Sequence, residues 1–158
     1  MTADLHLTEL GSGGELVLLG EDLAMAEELL QIAYIALFGG NIEANTRGNE
    51  IPGEERQDWW ANSLIYPQAP NKQFNSYTER VLGSIVLNSS GRLDIQRAVE
   101  RDLEILSSIA EVTVNVSIQT YNRVEILIRL RKLSNKEEKQ LQLIFDNARN
   151  EVIIEKEI

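Results

Sequence analysis

The sequence predicts an α+β domain in which three or so helices pack on a small antiparallel sheet near the C-terminus, with an edge of that sheet exposed. Three observations carry this. Val112, Val114, Val116 and Ile118 alternate with Thr113, Asn115, Ser117 and Gln119, and Val124, Ile126, Ile128 and Leu130 alternate with Glu125, Leu127, Arg129 and Arg131. A period of two means two strands, each with one apolar and one mostly polar face. The short break at Thr120-Tyr121-Asn122 joins them as an antiparallel pair. Upstream, two longer segments repeat apolar residues at helical spacing. At about 3.3 Å per residue each strand reaches roughly 25–30 Å. A two-stranded ribbon of that length is marginal alone. It needs helices over its apolar face, and its edge is open to pairing with another chain.

Taken in order, residues 1–14 form a flexible N-terminal segment, with a hinge or turn at Gly11-Ser12-Gly13-Gly14. No Gly-Lys-Ser/Thr follows, so the glycines do not make a phosphate loop. Glu15 to Leu19 is a short strand closed by Gly20. Asp22 to Phe38 is a helix, with Asp22 as its cap and Glu27 and Glu28 near its positive end. Its second half is apolar nearly all round, which marks a buried helix, and Gly39-Gly40 ends it. Asn41 to Ala61 is a long loop of Asn, Gly and Pro, a length that usually accompanies binding. It delivers Trp59-Trp60, which cannot both point the same way from an extended backbone. One Trp fills the core while the other covers a helix, or one anchors a protein interface. Tyr66 to Asn75 is a linker.

Ser76-Tyr77-Thr78-Glu79 has the pattern of a capping box and opens a helix carrying Val81, Leu82, Ile85 and Val86. Gly83 inside it costs about 1 kcal/mol against Ala, which points to a close contact there. Asn88 to Gly91 is a turn. Asp94 to Ala110 is amphipathic, with Ile95, Ala98, Val99, Leu103, Leu106, Ile109 and Ala110 on one stripe and Gln96, Arg97, Glu100, Arg101 and Glu104 toward water. After Leu133 two readings stand: a helix through Leu141, Ile144 and Phe145, or a third strand. The period of Gln140-Leu141-Gln142-Leu143 favours the strand. Residues 15–147 then form one domain and 148–158 a turn plus extended tail, whose Val152-Ile153-Ile154 needs cover.

The formal net charge is −10, from 25 acidic and 15 basic residues, which argues against nucleic-acid binding and suits a basic partner surface. The hydrophobic fraction of 43% supports a real core. With no cysteine, disulfides, thiolate metal sites and a Cys nucleophile are excluded. No secretory signal or membrane-length apolar run is present, so a reduced, cytoplasmic setting is expected. His6 is the sole histidine and lies in a segment expected to fray, which disfavours a Ser-His-Asp triad or a His-rich zinc site. No nucleophile and base can be paired. The expectation is a non-enzyme without cofactor or metal.

Several segments in order resemble the Mu-like phage baseplate small-subunit family. Gly14-Glu15-Leu16-Val17-Leu18-Leu19-Gly20-Glu21-Asp22-Leu23-Ala24 is similar to that family's opening, as is the helix through Ile35-Ala36-Leu37-Phe38. Arg56-Gln57-Asp58-Trp59-Trp60-Ala61-Asn62 resembles its Arg-Gly-Trp-Trp-Gly-Asp stretch, with Gln57 and Ala61 as departures. The likeness runs from about Gly14 to about Asn147. That family is similar to the sheath-initiator subunit of contractile phage tails and its counterpart in type VI secretion systems. The resemblance implies a structural, non-enzymatic subunit of a phage, prophage-derived or secretion-like machine, cytoplasmic until it joins a ring in the baseplate. Its partners would be the larger baseplate wedge proteins and the tail sheath protein, with no nucleic acid and no membrane insertion. It would template the first sheath ring by presenting strands to sheath arms. The expected interface residues are Trp59, Trp60 and Arg56 in the loop and Val124, Ile126, Ile128, Arg129, Arg131 and Lys132 on the ribbon. The basic ones, with Lys136 and Lys139, would fix register against an acidic arm. The alternative is an acidic adaptor or inhibitor that binds a basic protein through the Trp loop.

Overall fold

The computed structural model describes residues 3–9, 14–20, 22–39, 62–69, 72–149 and 151–157. The chain divides into two compact units, Met1–Ser76 and Tyr77–Ile158, in place of the expected single domain over 15–147. The fold class is α+β, with a small antiparallel sheet in the C-terminal part.

In the first unit three short chain segments meet in a three-way junction. The strands are β1 (Ala3–Leu5), β2 (Leu7–Glu9), β3 (Gly14–Leu16), β4 (Leu18–Leu19), β5 (Asp22–Leu23) and β6 (Met25–Glu27). β1 pairs with β6, β2 with β3 and β4 with β5, all antiparallel. Each segment changes partner at its middle residue: His6, Val17 or Ala24. Those three residues close a ring of hydrogen bonds. His6 N–H donates to the Ala24 carbonyl at 2.8 Å, Ala24 N–H to Val17 at 2.8 Å and Val17 N–H to His6 at 3.0 Å. A partner switch would otherwise orphan a donor and an acceptor on each segment, and the ring satisfies all three pairs. Residues 3–9 are therefore paired strand, which corrects the expected flexible segment and frayed His6.

The junction also displaces the predicted helix start. α1 spans Glu28–Phe38, because residues 22–27 are taken up by β5 and β6. Asp22 caps nothing helical; its carboxylate accepts the N–H of its own neighbour Leu23 at 2.8 Å. The expected burial holds: Leu29, Leu30, Ala33, Ala36, Leu37 and Phe38 are all buried, and Tyr34 lies tilted against Phe38. Gly39 N–H makes a closing bond to Ile35. α2 is a single turn, Asn62–Ile65. The buried Asn62 amide fixes the chain after it, donating to the Phe74 carbonyl at 2.6 Å and accepting the Phe74 N–H at 3.0 Å.

The second unit is two helices and a sheet. α3 (Tyr77–Ser84) packs on α4 (Ser89–Asp102), and α4 packs on β7 (Ala110–Thr120). α4 starts five residues before the predicted Asp94 because the Asn88 side chain accepts the Gly91 N–H at 2.9 Å. The turn expected at Asn88 to Gly91 is instead the N-cap, Asn88, and the first helical residues of α4. α4 gives way to a 3-10 turn, Leu103–Leu106, so Ala110 belongs to β7 and Ile109 is exposed. Ile95, Ala98, Val99, Leu103 and Leu106 are buried as their stripe predicts. The Ser76–Glu79 box does not form: Ser76 adopts φ +44° and its buried hydroxyl has no partner among the described residues. The α3 N-terminus is capped from a distance by Asp102.

β8 (Arg123–Lys132), β9 (Glu138–Asp146) and β10 (Glu151–Glu157) complete an antiparallel meander in the order β10-β9-β8-β7. The strand reading of 138–146 is correct. The predicted tail is corrected: Glu151–Glu157 pairs with β9. On one sheet face Val116 opposes Ile126, which opposes Leu143; Val114, Ile128 and Leu141 form the next row. Val116, Ile126, Ile128, Leu141, Leu143 and Phe145 are almost wholly buried.

Candidate docking edge

β8 is bonded on both sides, by β7 and by β9. It has no free rim, and Val124, Ile126 and Ile128 are each 0% exposed. These three predicted interface residues belong to the core instead. The sequence pattern showed two alternating strands but not that a third would lie outside β8. Trp59, Trp60 and Arg56 lie outside the described residues.

β7 borders the sheet. Leu133 N–H donates to the Ile109 carbonyl at 2.9 Å, so Ile109 points its carbonyl toward β8. Peptide groups alternate sides along a strand, which turns the N–H and C=O of Ala110, Val112, Val114 and Val116 outward. The far end agrees: Arg92 of α4 reaches the Val116 carbonyl with Nη1 at 3.4 Å. The outward groups of Ala110, Val112 and Val114 have no partner among the described residues. Val112 and Val114 are half-buried, and Ile118 and Ile109 are exposed. The rim thus combines main-chain valences with apolar side chains that a further strand would cover.

A groove of about 590 Å³ opens beside the first part of this rim. It is lined by Leu103, Ala110 and Val112, by Glu100 and Arg101 of α4, and by Glu104 of the 3-10 turn that follows. Glu100, near the end of α4, and Glu104, in the 3-10 turn, are both exposed. The Arg101 guanidinium is drawn away onto Tyr77, 3.7 Å from the ring centre and 2.9 Å from its hydroxyl. Sequence reasoning placed Glu100 and Glu104 on a merely solvated face; their nearness to the β7 rim depends on the packing of α4 on β7.

The predicted basic patch is largely spent within the unit. Arg131 pairs with Glu111 across the ladder at 2.6 Å. Lys139 pairs with Glu137 at 3.1 Å, and Lys132 lies 3.9 Å from the same carboxylate. Lys139 foremost, with Asn135, holds the Glu137 carboxyl below its ordinary range. Lys136 sits in the tight turn at φ +60°. Arg129 is exposed on the other sheet face and makes no ion pair among the described residues. That face carries its own polar network: Glu125 accepts Ser117 at 3.0 Å, Gln119 at 2.9 Å and Gln142 at 2.6 Å.

Asp146 ties the two sheet turns together. Its buried carboxylate accepts Arg123 Nε at 3.0 Å, Asn122 Nδ2 at 3.3 Å and the Ala148 N–H at 3.0 Å. Arg123 above all holds its carboxyl below the ordinary range. Among the described residues no group of three or more His, Cys, Asp or Glu is placed to hold a metal ion, and no helix is long and apolar enough to cross a membrane. Comparison with known protein families, with curated proteins and with solved structures finds no match to this chain.

Proposed function

We propose that this protein is a structural subunit of a contractile tail or injection-machine baseplate that accepts a strand from a neighbouring subunit on the rim of β7. The observation that carries the reading is the outward, unpartnered N–H and C=O groups of the half-exposed Val112 and Val114. Strand addition draws affinity from such groups and specificity from alternate side chains. The machine itself is proposed from the resemblance of the Gly14–Ala24 and Arg56–Asn62 stretches to the baseplate small-subunit family. On this reading copies stand in a ring, joined to wedge proteins, and the first sheath ring docks on β7. The protein has no catalytic role and is cytoplasmic before assembly.

The test is nucleation. Sheath protein from the same machine is mixed with this chain or with its Val114→Pro variant, and polymer growth is followed by light scattering. The parent chain shortens the lag and the variant does not. Equal lag times with and without the parent chain would refute the reading.

A further inference from the structure

The charges beside the rim say what kind of strand it takes. The open stretch is Val112 to Val114: Ala110 is itself buried, and the Val116 carbonyl is already occupied by Arg92. A visiting strand there lays alternate side chains over Val112 and Val114, which are half-exposed apolar residues. Its end toward Ala110 meets the groove, which Glu100 and Glu104 line together with Arg101, whose guanidinium stacks on Tyr77 and keeps its charge. Glu100 accepts Gln96 Nε2 at 2.9 Å, but neither it nor Glu104 has an ion pair among the described residues, and a cation between them would offset their like charge. Glu111 is already satisfied by Arg131, so the groove carboxylates with no ion pair among the described residues are Glu100 of α4 and Glu104 of the 3-10 turn.

We infer that the β7 rim takes a basic extended segment of a partner protein, apolar on alternate residues, with a lysine or arginine held between Glu100 and Glu104. This deepens the strand-addition reading and rests on it. It reverses the sign expected from Arg129, Arg131 and Lys132, which lie on the opposite face or are paired. The partner is a polypeptide because the rim offers paired donors and acceptors at strand spacing, a pattern only another backbone matches along its length.

The experiment titrates the full chain with blocked strand peptides of alternating Val and Thr carrying a pair of Lys, a pair of Glu or neither. Binding is read from backbone amide shifts in two-dimensional NMR at low salt. The Lys peptide binds at least about fivefold tighter than the Glu peptide, and added salt narrows the gap. The double variant Glu100→Gln/Glu104→Gln removes that preference while the uncharged peptide binds as before. N-methylation of the peptide's rim-facing amides abolishes binding to the unaltered protein, as does Val114→Pro. If the double variant keeps the Lys preference, the charge assignment is overturned and strand addition stands. If the N-methylated peptide binds as well as its parent, strand addition itself fails and this inference with it. Absence of binding by every peptide at millimolar concentration overturns both.

Discussion

The carboxylate of Asp102 caps a helix that starts 25 residues earlier in the chain, accepting the Thr78 N–H at 2.7 Å. Its other oxygen accepts the Tyr77 N–H at 3.0 Å. The first amides of α3 would otherwise be orphaned, since Ser76 is twisted to positive φ and does not cap. Burial pushes the Asp102 carboxyl up from 3.8 to about 6, against the opposing pull of the Thr78 and Tyr77 amides and Arg101. The folded chain therefore holds a proton between those values that the unfolded chain releases. The stability linked to this proton is complete below about pH 3.8 and is lost as pH rises through about 6. Its size is on the order of 3 kcal/mol by the conversion of pKa shift to free energy. Urea unfolding of the parent and of Asp102→Asn from pH 4 to 7 checks this: the difference in stability between them changes across the window. Asp102→Ala, which orphans both amides, costs about 1–3 kcal/mol.

Asp146 shows the opposite sign. Arg123 holds its carboxyl below the ordinary value, so its contribution is present above the unfolded pKa and is lost as pH falls through the folded one. Asp146→Asn is expected to lower stability at neutral pH, with the deficit shrinking as the medium becomes more acid than the ordinary Asp value of 3.8. The check is the midpoint of urea unfolding for both chains at neutral pH and in acid. A deficit that does not shrink in acid would rule out the Arg123 pairing as its cause.

What the sequence made legible follows from how local each signal is. β7, β8 and β9 each repeat an apolar residue on one face for at least three alternations, and all three strands were visible. The junction at His6, Val17 and Ala24 was not, because each strand there has only two or three residues and the ring of bonds is non-local. Asp22 carries the chemistry of a helix cap, but its carboxylate bonds Leu23 within a strand. The true cap of α3 comes from the far end of α4, which no local motif reveals. The same holds for the candidate site. Alternation showed that a sheet edge exists, yet only the placement of β9 takes it off β8 and leaves β7 and β10 as the borders. Glu100 and Glu104 look like any solvated pair until α4 is laid on β7.

Two glycines in neighbouring helices are expected to respond with opposite sign. A Cβ on Gly83 meets nothing within 4 Å, which removes the close contact predicted for it. Gly83→Ala therefore stabilises α3 by about 0.5–1 kcal/mol through helix propensity alone. A Cβ on Gly91 runs into the Val86 carbonyl oxygen and crowds Ile85 Cγ1 at 3.0 Å. The obstacle is backbone, so the first turn of α4 has to shift, and Gly91→Ala destabilises by about 1–3 kcal/mol. Thermal unfolding of the two variants side by side decides: Gly83→Ala raises the midpoint and Gly91→Ala lowers it.

The assignment of β8 to the interior carries its own test. Ile126 lies between Val116 and Leu143 on the apolar face, and all three are almost wholly buried. The flanking strands hold its neighbours by main-chain bonds, so they cannot close over the space a shorter side chain leaves. Ile126→Ala is expected to cost about 2–5 kcal/mol. Leu127, the next residue, faces the other way between Asn115 and Gln142 and is half-buried. Its truncation loses only part of a leucine's burial, and Leu127→Ala costs less than about 1.5 kcal/mol. The measurement is urea unfolding of both variants. A strand that presented Ile126 to a partner would reverse the order, since an exposed isoleucine can be shortened with little loss. Because Ile126 does not reach the outer rim, the variant's folded fraction should also bind a strand peptide on β7 as the parent does. Loss of stability with binding retained is the joint outcome that places the core on β8 and the docking edge on β7.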